Sequence, residues 1–184
     1  MRQGGRVIDR DPAPGAGPLP AAKPVSVSQA TLSRIMTAQD TNLYGMIHGG
    51  VIMKMCDDVA AIAASRHTGG PILTVAIDEL TLLTPVHVGD VLQVKASVNW
   101  VGRSSLEVGV RVVTEPFGEA GTEPKHVAAA YLVFVAIDTQ EHPRQIPGLV
   151  LENDGDRRRY AEAEIRRSSR LARRAAIRAR RDTP

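Results

Sequence analysis

The sequence predicts an α+β domain in which a long antiparallel sheet curls round a single helix. One stretch near residue 52 has helical apolar spacing, and several long segments between residues 72 and 137 have the pattern of strands. The chain has 184 residues and is 43% apolar, which is enough for one packed core. A small domain of this kind buries both apolar surfaces only if the sheet wraps the helix.

The helix is indicated by apolar and small residues that recur with a period of three to four. They follow Ile52 and are Met55, Cys56, Val59, Ala60 and Ala63. The sequence Thr68-Gly69-Gly70-Pro71 supplies a stop signal. These limits predict a helix of about four turns.

The first long strand is predicted from Ile72 to Leu83. Its apolar phase changes near Asp78 and Glu79, which predicts a β-bulge there. Pro85 and Gly89-Asp90 then favour a turn.

A hairpin and a buried strand follow this turn. Apolar residues alternate with polar ones over residues 92–99 and again over 106–112, as in paired antiparallel strands with one wet face. The nearly continuous apolar run from Val127 to Ile137 indicates a strand in the sheet interior or at a subunit contact. Pro116 to Pro124 is the expected loop before it.

The two ends differ in composition from the middle. Residues 1–27 are rich in Pro, Gly and Ala and are expected to be disordered, so the domain is placed at 28–152. Residues 153–184 form an Arg-rich tail, with a helix predicted from Asp156 to Arg181 and a thin apolar stripe: Tyr160, Ile165, Leu171 and Ile177. This charge run favours a helix that is exposed to solvent. The alternative is that the helix attracts a phosphate-bearing ligand, nucleic acid or an acidic subunit.

Composition also narrows the class of protein. The longest apolar run is shorter than the ~20 residues of a bilayer-spanning helix, and the N-terminus lacks the apolar stretch of a signal peptide, so we expect a cytoplasmic protein without membrane contact. A single cysteine excludes an internal disulfide. An aromatic content of 3% argues against stacking on single-stranded nucleic acid.

The run from Asp40 to Asp58 contains the residues that are candidates for a catalytic site. Gly49 and Gly50 place backbone N–H groups at a helix start, where they favour a carbonyl oxygen that gains negative charge. Asn42 offers one acceptor and two donors for a water molecule, and Asp57 offers a carboxylate. The structural alternatives are that Asn42 caps a turn and that Asp57 faces solvent.

Two neighbours of Asp57 are weaker candidates. Asp58 points about 100° away from Asp57 and is expected to pair with Lys54 four residues earlier. Cys56 is expected to be a small buried apolar residue, because the adjacent carboxylate disfavours its thiolate.

Several segments, in this order and spacing, resemble the hotdog-fold acyl-CoA thioesterases of the cytosolic long-chain acyl-CoA hydrolase type. The resemblance covers roughly residues 30–150 and rests on the segments 48–60, 66–67, 74–78, 85–90 and 102–107. It implies a hotdog fold and hydrolysis of fatty acyl-CoA to CoA and a fatty acid, without a metal or another cofactor.

The resemblance also assigns roles to individual residues. Asn42 matches the loop asparagine, and Asp57 matches the helix carboxylate that acts as general base or nucleophile. The amide of Gly50, or of Gly49, polarises the thioester carbonyl, and His48 shapes the loop with Gly49. His48 and His67 have no carboxylate spacing that would make a metal site.

For the CoA moiety, the resemblance places the backbone of Thr74, Val75 and Ala76 along the pantetheine arm. Arg103, Ser104 and Ser105 are assigned to the nucleotide end, where a guanidinium flanked by hydroxyls suits phosphate oxygens. An ordinary hairpin turn over residues 102–105 is the alternative reading of the same residues.

Helix geometry leads to an expected dimer. A rise of 1.5 Å per residue places Asp57 roughly 10 Å along the axis from Gly50, too far for both to reach one reacting carbon. Asp57 is therefore expected to serve a site whose glycine comes from a neighbouring subunit, which makes the homodimer obligate. The resemblance further implies a trimer of dimers, a homohexamer.

Two other function classes use the same fold. A non-catalytic acyl-CoA-binding sensor or regulator is one, although no helix-turn-helix precedes the domain. Hydration of enoyl thioesters is the other, and it calls for a His and Asp pair in different positions. Neither accounts for Asn42 together with Asp57.

Overall fold

The computed structural model describes residues 6–8, 20–118 and 122–181. A short 3-10 helix spans Ala38–Asp40. The remaining elements, in chain order, are β1 (Arg6–Ile8), β2 (Lys23–Pro24), α1 (Val25–Ser28), β3 (Ala30–Ile35), α2 (Gly49–Thr68), β4 (Ile72–Leu82), β5 (Asp90–Val101), β6 (Ser105–Pro116), β7 (Lys125–Ala136), β8 (Leu149–Leu151) and α3 (Asp154–Arg181).

Five of the strands form one antiparallel sheet that wraps α2. Their order is β3-β5-β6-β7-β4, and α2 contacts all five strands. The core is built from the inward residues of the strands and from the buried face of α2, where Cys56, Val59 and Ala60 are fully buried. The predicted fold class, an antiparallel sheet wrapped round one central helix, is confirmed.

The central helix is longer than the four turns expected. It has 20 residues and begins at Gly49, because the side chain of His48 accepts a hydrogen bond from the Gly50 amide and caps the first turn. The apolar pattern starts only at Ile52 and so misses this turn, because Gly49 and Gly50 have no side chains to mark it. The predicted stop is confirmed: Gly69 ends the helix at φ +72°, a conformation that favours glycine.

The predicted strands are present with small changes in their limits. The β4–β7 ladder shifts register between Ile77 and Glu79, so the bulge at Asp78 is confirmed, and it shifts again between Thr74 and Ala76. β5 and β6 form the expected hairpin. β7 lies between β6 and β4, in the sheet interior.

Two features were not expected from the sequence. β3 forms the edge opposite to β4, and β1, β8 and β2 form a second, three-stranded sheet. Most of the segment 1–27, which is expected to be disordered, lies outside the described residues; its described residues, 6–8 and 20–27, include β1, β2 and most of α1. Val25 is 2% exposed and anchors α1 in the core, which offsets the entropy cost of ordering this Pro- and Ala-rich stretch.

The charge run of α3 favours a solvated helix, but the structure shows that part of this helix packs on the sheet. Arg166 forms a bidentate ion pair with Glu107 of β6, which is 2% exposed, and Arg170 pairs with Asp78 of β4. Arg166 also lies 3.6 Å from the centroid of the Tyr131 ring. The first half of α3 therefore docks on the outer face of the sheet and belongs to the domain.

The second half of α3 differs from the first. Residues 171–181 are all exposed. In the predicted apolar stripe, Tyr160 packs against the core, whereas the other three residues are exposed: Ile165, Leu171 and Ile177. None of the described helices is long and apolar enough to cross a bilayer.

Candidate active site

The loop that leads into α2 is fixed by Asp40. Its carboxylate accepts hydrogen bonds from the Thr37 amide and hydroxyl, each at 2.9 Å, and forms an ion pair with Arg34. The Arg34 side chain and then the Thr37 amide are the main causes that lower the pKa of Asp40 to about 2. The carbonyl of Asp40 also accepts from the His48 amide at 2.8 Å. Asp40 therefore ties the start of this loop to its end.

Asn42 caps a turn within this loop. Its Oδ1 accepts hydrogen bonds from the amides of Tyr44, at 2.8 Å, and Met46, at 3.3 Å. The acceptor that was expected to orient a water is therefore occupied, and the side-chain NH₂ group is the part of Asn42 that remains to bind substrate or water. The turn-capping alternative is observed, and it holds this NH₂ group in a defined position.

The glycine pair occupies the first two positions of α2, as predicted. The Gly50 amide donates to His48 Nδ1 at 2.8 Å, and the Val51 amide donates to the His48 carbonyl at 2.9 Å. Within the described part of the chain, the Gly49 amide has no such partner. His48 thus shapes the loop, and it leaves Gly49 as the first-turn donor open to a ligand.

Asp57 of α2 lies against β4. The hydroxyl of Thr74 donates to Asp57 Oδ1 at 2.9 Å, and the Asp57 side chain is half-buried. The alternative in which Asp57 simply faces solvent is therefore wrong. The sequence predicts only a backbone role for Thr74, because its side-chain contact depends on α2 crossing β4 at this residue, and nothing in the local pattern marks that crossing.

Both expectations for the neighbours of Asp57 are confirmed. Lys54 Nζ lies 2.8 Å from the Asp58 carboxylate, in an exposed pair. Cys56 is fully buried, and its burial, followed by the charge of Asp57, raises the pKa of the thiol to about 11. Neither residue is placed to act as a nucleophile at neutral pH.

Residues 102–105 form the turn of the β5–β6 hairpin. The Gly102 amide donates to the Ser105 carbonyl, and the Arg103 carbonyl accepts from the Ile146 amide at 3.0 Å. A Cβ at Gly102 would lie 2.7 Å from Ser105 Oγ and 2.9 Å from the Trp100 ring, so a larger residue there would force these side chains to shift. The Arg103 side chain is exposed, so the turn and a contact with phosphate are compatible.

Thr74, Val75 and Ala76 lie on an edge strand. Among the described residues, no strand pairs with the outer edge of β4. That edge presents unpaired backbone groups and a row of exposed apolar side chains: Leu73, Val75, Ile77 and Leu82. In the described ranges, no group of three or more His, Cys, Asp or Glu residues is arranged to hold a metal ion.

Comparison with known proteins gives a consistent result. A profile of the Thioesterase superfamily matches residues 44–120. The chain is 29% identical to the cytosolic acyl coenzyme A thioester hydrolase of Mus musculus over 147 residues, which is 80% of this chain and 39% of that protein. The chain thus spans about two-fifths of the length of this mammalian relative.

Solved structures give closer matches. An acyl-CoA hydrolase from Staphylococcus aureus, in complex with butyryl coenzyme A, coenzyme A and coenzyme A disulfide, superposes with a TM-score of 0.80 at 34% identity, covering 86% of this chain and 95% of that one. An apo-hexameric acyl-CoA thioesterase superposes with a TM-score of 0.80 at 30% identity, covering 84% and 98%.

Variants of the Staphylococcus aureus hydrolase add a detail. Three have been solved in which an asparagine, an aspartate or a threonine is replaced by alanine. The aspartate follows the asparagine by fifteen residues, and the threonine follows the aspartate by seventeen. Asn42, Asp57 and Thr74 have the same two separations.

Proposed function

The chain belongs to the thioesterase superfamily and has its hotdog fold, and we propose from this premise that it hydrolyses acyl-CoA thioesters to CoA and a carboxylic acid. The observation that carries the proposal is the hydrogen bond between Thr74 and Asp57. It joins two of the three side chains whose separations equal those of the residues replaced in the Staphylococcus aureus hydrolase.

Asp57 is proposed as the general base. One carboxylate oxygen is held by Thr74, which leaves the other to take a proton from a water molecule. The water oxygen adds to the thioester carbonyl carbon, and the tetrahedral intermediate then expels the CoA sulfur, which takes back the proton from Asp57. Direct attack by Asp57 is the competing route: its carboxylate displaces the CoA sulfur to give a mixed anhydride, and water that then attacks the Asp57 carbon of the anhydride leaves its oxygen in the Asp57 side chain, whereas the general-base route leaves it only in the product acid.

The remaining groups are proposed to stabilise the charge on the carbonyl oxygen. The Gly49 amide lies at the positive end of α2, and the Asn42 NH₂ group is held by its loop. The resemblance assigns the oxyanion donor to Gly50 or Gly49, but the Gly50 amide is bonded to His48. Gly50 joins the site only if the His48 ring turns away, so we assign the role to Gly49.

A homodimer is proposed to complete each site. Asp57 and Gly49 lie about two turns apart on one helix, so the oxyanion donor of one chain is matched with the carboxylate of another. Exposed apolar side chains are available for such a contact: Leu43 and Tyr44 project from the loop before α2, at 101% and 85% exposure, and β4, which contacts Asp57 through Thr74, adds its edge residues. Pairing of two β4 edges would cover this surface.

The other assignments follow from the relatives and stay proposals. The hexameric thioesterase suggests a trimer of these dimers, and the CoA complex suggests acyl-CoA as the ligand. Arg103, Ser104 and Ser105 are proposed at the nucleotide end, and β4 along the pantetheine arm. We propose chemistry without a metal or cofactor, and a cytoplasmic location like that named for the mammalian relative.

The test is thiol release from palmitoyl-CoA by the purified protein and by Asp57→Ala. Asp58→Ala is the matched control, since it removes a neighbouring carboxylate that is exposed and pairs with Lys54. We expect turnover in the parent and in Asp58→Ala, and loss of turnover with retained acyl-CoA binding in Asp57→Ala. Binding without turnover in the parent would favour the sensor alternative, and unchanged turnover in Asp57→Ala would contradict the role of Asp57.

A further inference from the structure

A groove lies on the outer face of the sheet, on the side opposite to α2. It has a volume of about 540 Å³, and its floor is formed by β3, β5, β6 and β7 while its wall is formed by the start of α3. Small residues give it depth, since Ser97 lies directly opposite Gly109 in the β5–β6 register. The sheet separates this outer groove from Asp57, which lies on α2.

Two basic side chains face each other on the floor of the outer groove. Lys95 and Arg111 are directly opposite in the β5–β6 register, and both are exposed. Like charges in this arrangement repel each other and destabilise a sheet. In the described part of the chain, neither side chain forms an ion pair with a carboxylate.

The wall adds two arginines, each of which is paired with a carboxylate of α3. Arg158 is held by Glu162 at 2.9 Å, and Arg159 is held by the buried carboxylate of Asp156 at 2.6 Å. A guanidinium fixed in this way still has N–H donors to spare, because it carries five. The groove thus combines two cations without a carboxylate partner and two guanidinium groups that have one, and the lining carboxylate of Glu162 is neutralised by Arg158.

The inner part of the outer groove contains an acceptor without a donor. Asn99 lines the groove, is 2% exposed, and donates from Nδ2 to Glu107 at 3.3 Å. Its Oδ1 is buried and has no hydrogen-bond partner among the described residues. A buried acceptor of this kind lowers stability unless a donor reaches it.

We propose that the outer groove binds a small phosphate- or diphosphate-bearing anion between Lys95 and Arg111. The phosphate oxygens accept from these two side chains and from the guanidinium groups of Arg158 and Arg159, which removes the repulsion across the strands. A hydroxyl or amine of the same ligand donates to Asn99 Oδ1. The site is distinct from the one proposed for the CoA nucleotide at Arg103, because it lies at mid-strand rather than at the hairpin turn.

The test uses inorganic pyrophosphate as the probe, titrated into the full-length protein by calorimetry at low salt. We expect saturable binding that weakens roughly tenfold or more in Lys95→Gln/Arg111→Gln, as expected when charge-assisted hydrogen bonds are lost, and that falls as salt is added. The matched controls are Arg173→Gln, which removes an exposed arginine of α3, and Arg103→Gln, which removes the guanidinium proposed for CoA.

Each outcome decides the proposal. Loss of binding in the Lys95→Gln/Arg111→Gln variant alone supports it. Absence of binding to the parent, equal loss in Arg173→Gln, or loss only in Arg103→Gln overturns it, and the last result moves the phosphate site to the CoA position. If a second subunit covers the groove, the parent shows no binding, which also overturns it. Thiol release from acyl-CoA is measured on the same variants, so failure of the proposed hydrolysis is seen separately.

Discussion

The Thr74 hydroxyl donates to Asp57 Oδ1 at 2.9 Å and so fixes a helix carboxylate to an edge strand. Thr74 comes seventeen residues after Asp57, and the two meet because α2 ends at Gly69 and the chain turns directly into β4. The helix carboxylate is thus held at the sheet edge where a second subunit is proposed to pair.

Removal of this hydroxyl tests the positioning of Asp57. We expect Thr74→Val to lower kcat for acyl-CoA hydrolysis by about 10- to 100-fold, since a hydrogen bond to a charged group contributes about 1.5–3 kcal/mol. The cause is a carboxylate free to turn away from the water molecule. Steady-state thiol release measures kcat, and Thr74→Ser should restore much of it.

Thr81→Val is the control for this substitution. Thr81 lies on the same strand and donates to Glu79 rather than to Asp57. Equal rates in Thr74→Val and the parent would show that Asp57 does not depend on this contact.

A charge on the β4 edge should separate the proposed dimer. Ile77 is 41% exposed on β4, and Ile77→Lys would place an ammonium group in the apolar contact, where it would lose its hydration. Sedimentation is expected to show a smaller assembly, and thiol release is expected to fall with it because each site is proposed to need two chains.

Leu32→Lys is the matched control, since Leu32 is 37% exposed on β3, the opposite edge of the sheet. An assembly of unchanged mass in Ile77→Lys would argue against pairing through β4. A monomer with full activity would contradict the shared site itself.

The pairing of Arg166 with Glu107 should contribute strongly to the docking of α3. Arg166→Met leaves the buried Glu107 carboxylate without its cation, and removing one partner of a buried ion pair costs about 3–5 kcal/mol. Urea unfolding gives the change in the free energy of unfolding. Arg173→Met, at an exposed position of the same helix, should change it by no more than about 0.5 kcal/mol.

A second substitution separates charge from packing. Glu107→Gln in the Arg166→Met background removes the unpaired charge and should recover part of the lost stability. If the double variant is no more stable than Arg166→Met, the loss comes from the packing of Arg166 on Tyr131 instead.

His67 should make stability depend on pH near neutrality. It is fully buried near the end of α2; its Nε2 contacts the Pro147 carbonyl at 3.1 Å, and burial lowers its pKa from the ordinary value of 6.5. As the pH falls below about 6.5, the unfolded chain binds a proton that the folded chain does not. The free energy of unfolding should therefore be largest above that pH and should decrease as the pH falls towards the lower pKa of the folded state.

Urea titrations at several pH values from 7.5 to 5 measure this slope. His67→Gln should reduce it, whereas His142→Gln, which removes an exposed ring, should not. The carboxyl of Asp40 does not interfere, because its contribution is lost only as the pH falls from about 4 towards its pKa of about 2. An unchanged slope in His67→Gln would show that other groups control stability in this range.

Local patterns in the sequence determined the central helix, its stop at Gly69, the four long strands and the bulge at Asp78. Each of these follows from periodicity or from the conformational preference of a glycine or proline, which act over a few residues. The same is true of the Lys54–Asp58 pair and of the buried Cys56. The order of motifs over the chain also predicted the family.

Only the tertiary structure decided which of these residues act together. The bond from Thr74 to Asp57, the pairing of Arg166 and Arg170 with acids of the sheet, and the outer groove at Lys95 and Arg111 all join residues far apart in the chain or on separate strands. Even the short-range bond from Gly50 to His48 depends on the path that the loop takes around Asp40. Side-chain partners are set by how helix and sheet pack, and a one-dimensional pattern records the face a residue takes but not the residue it meets.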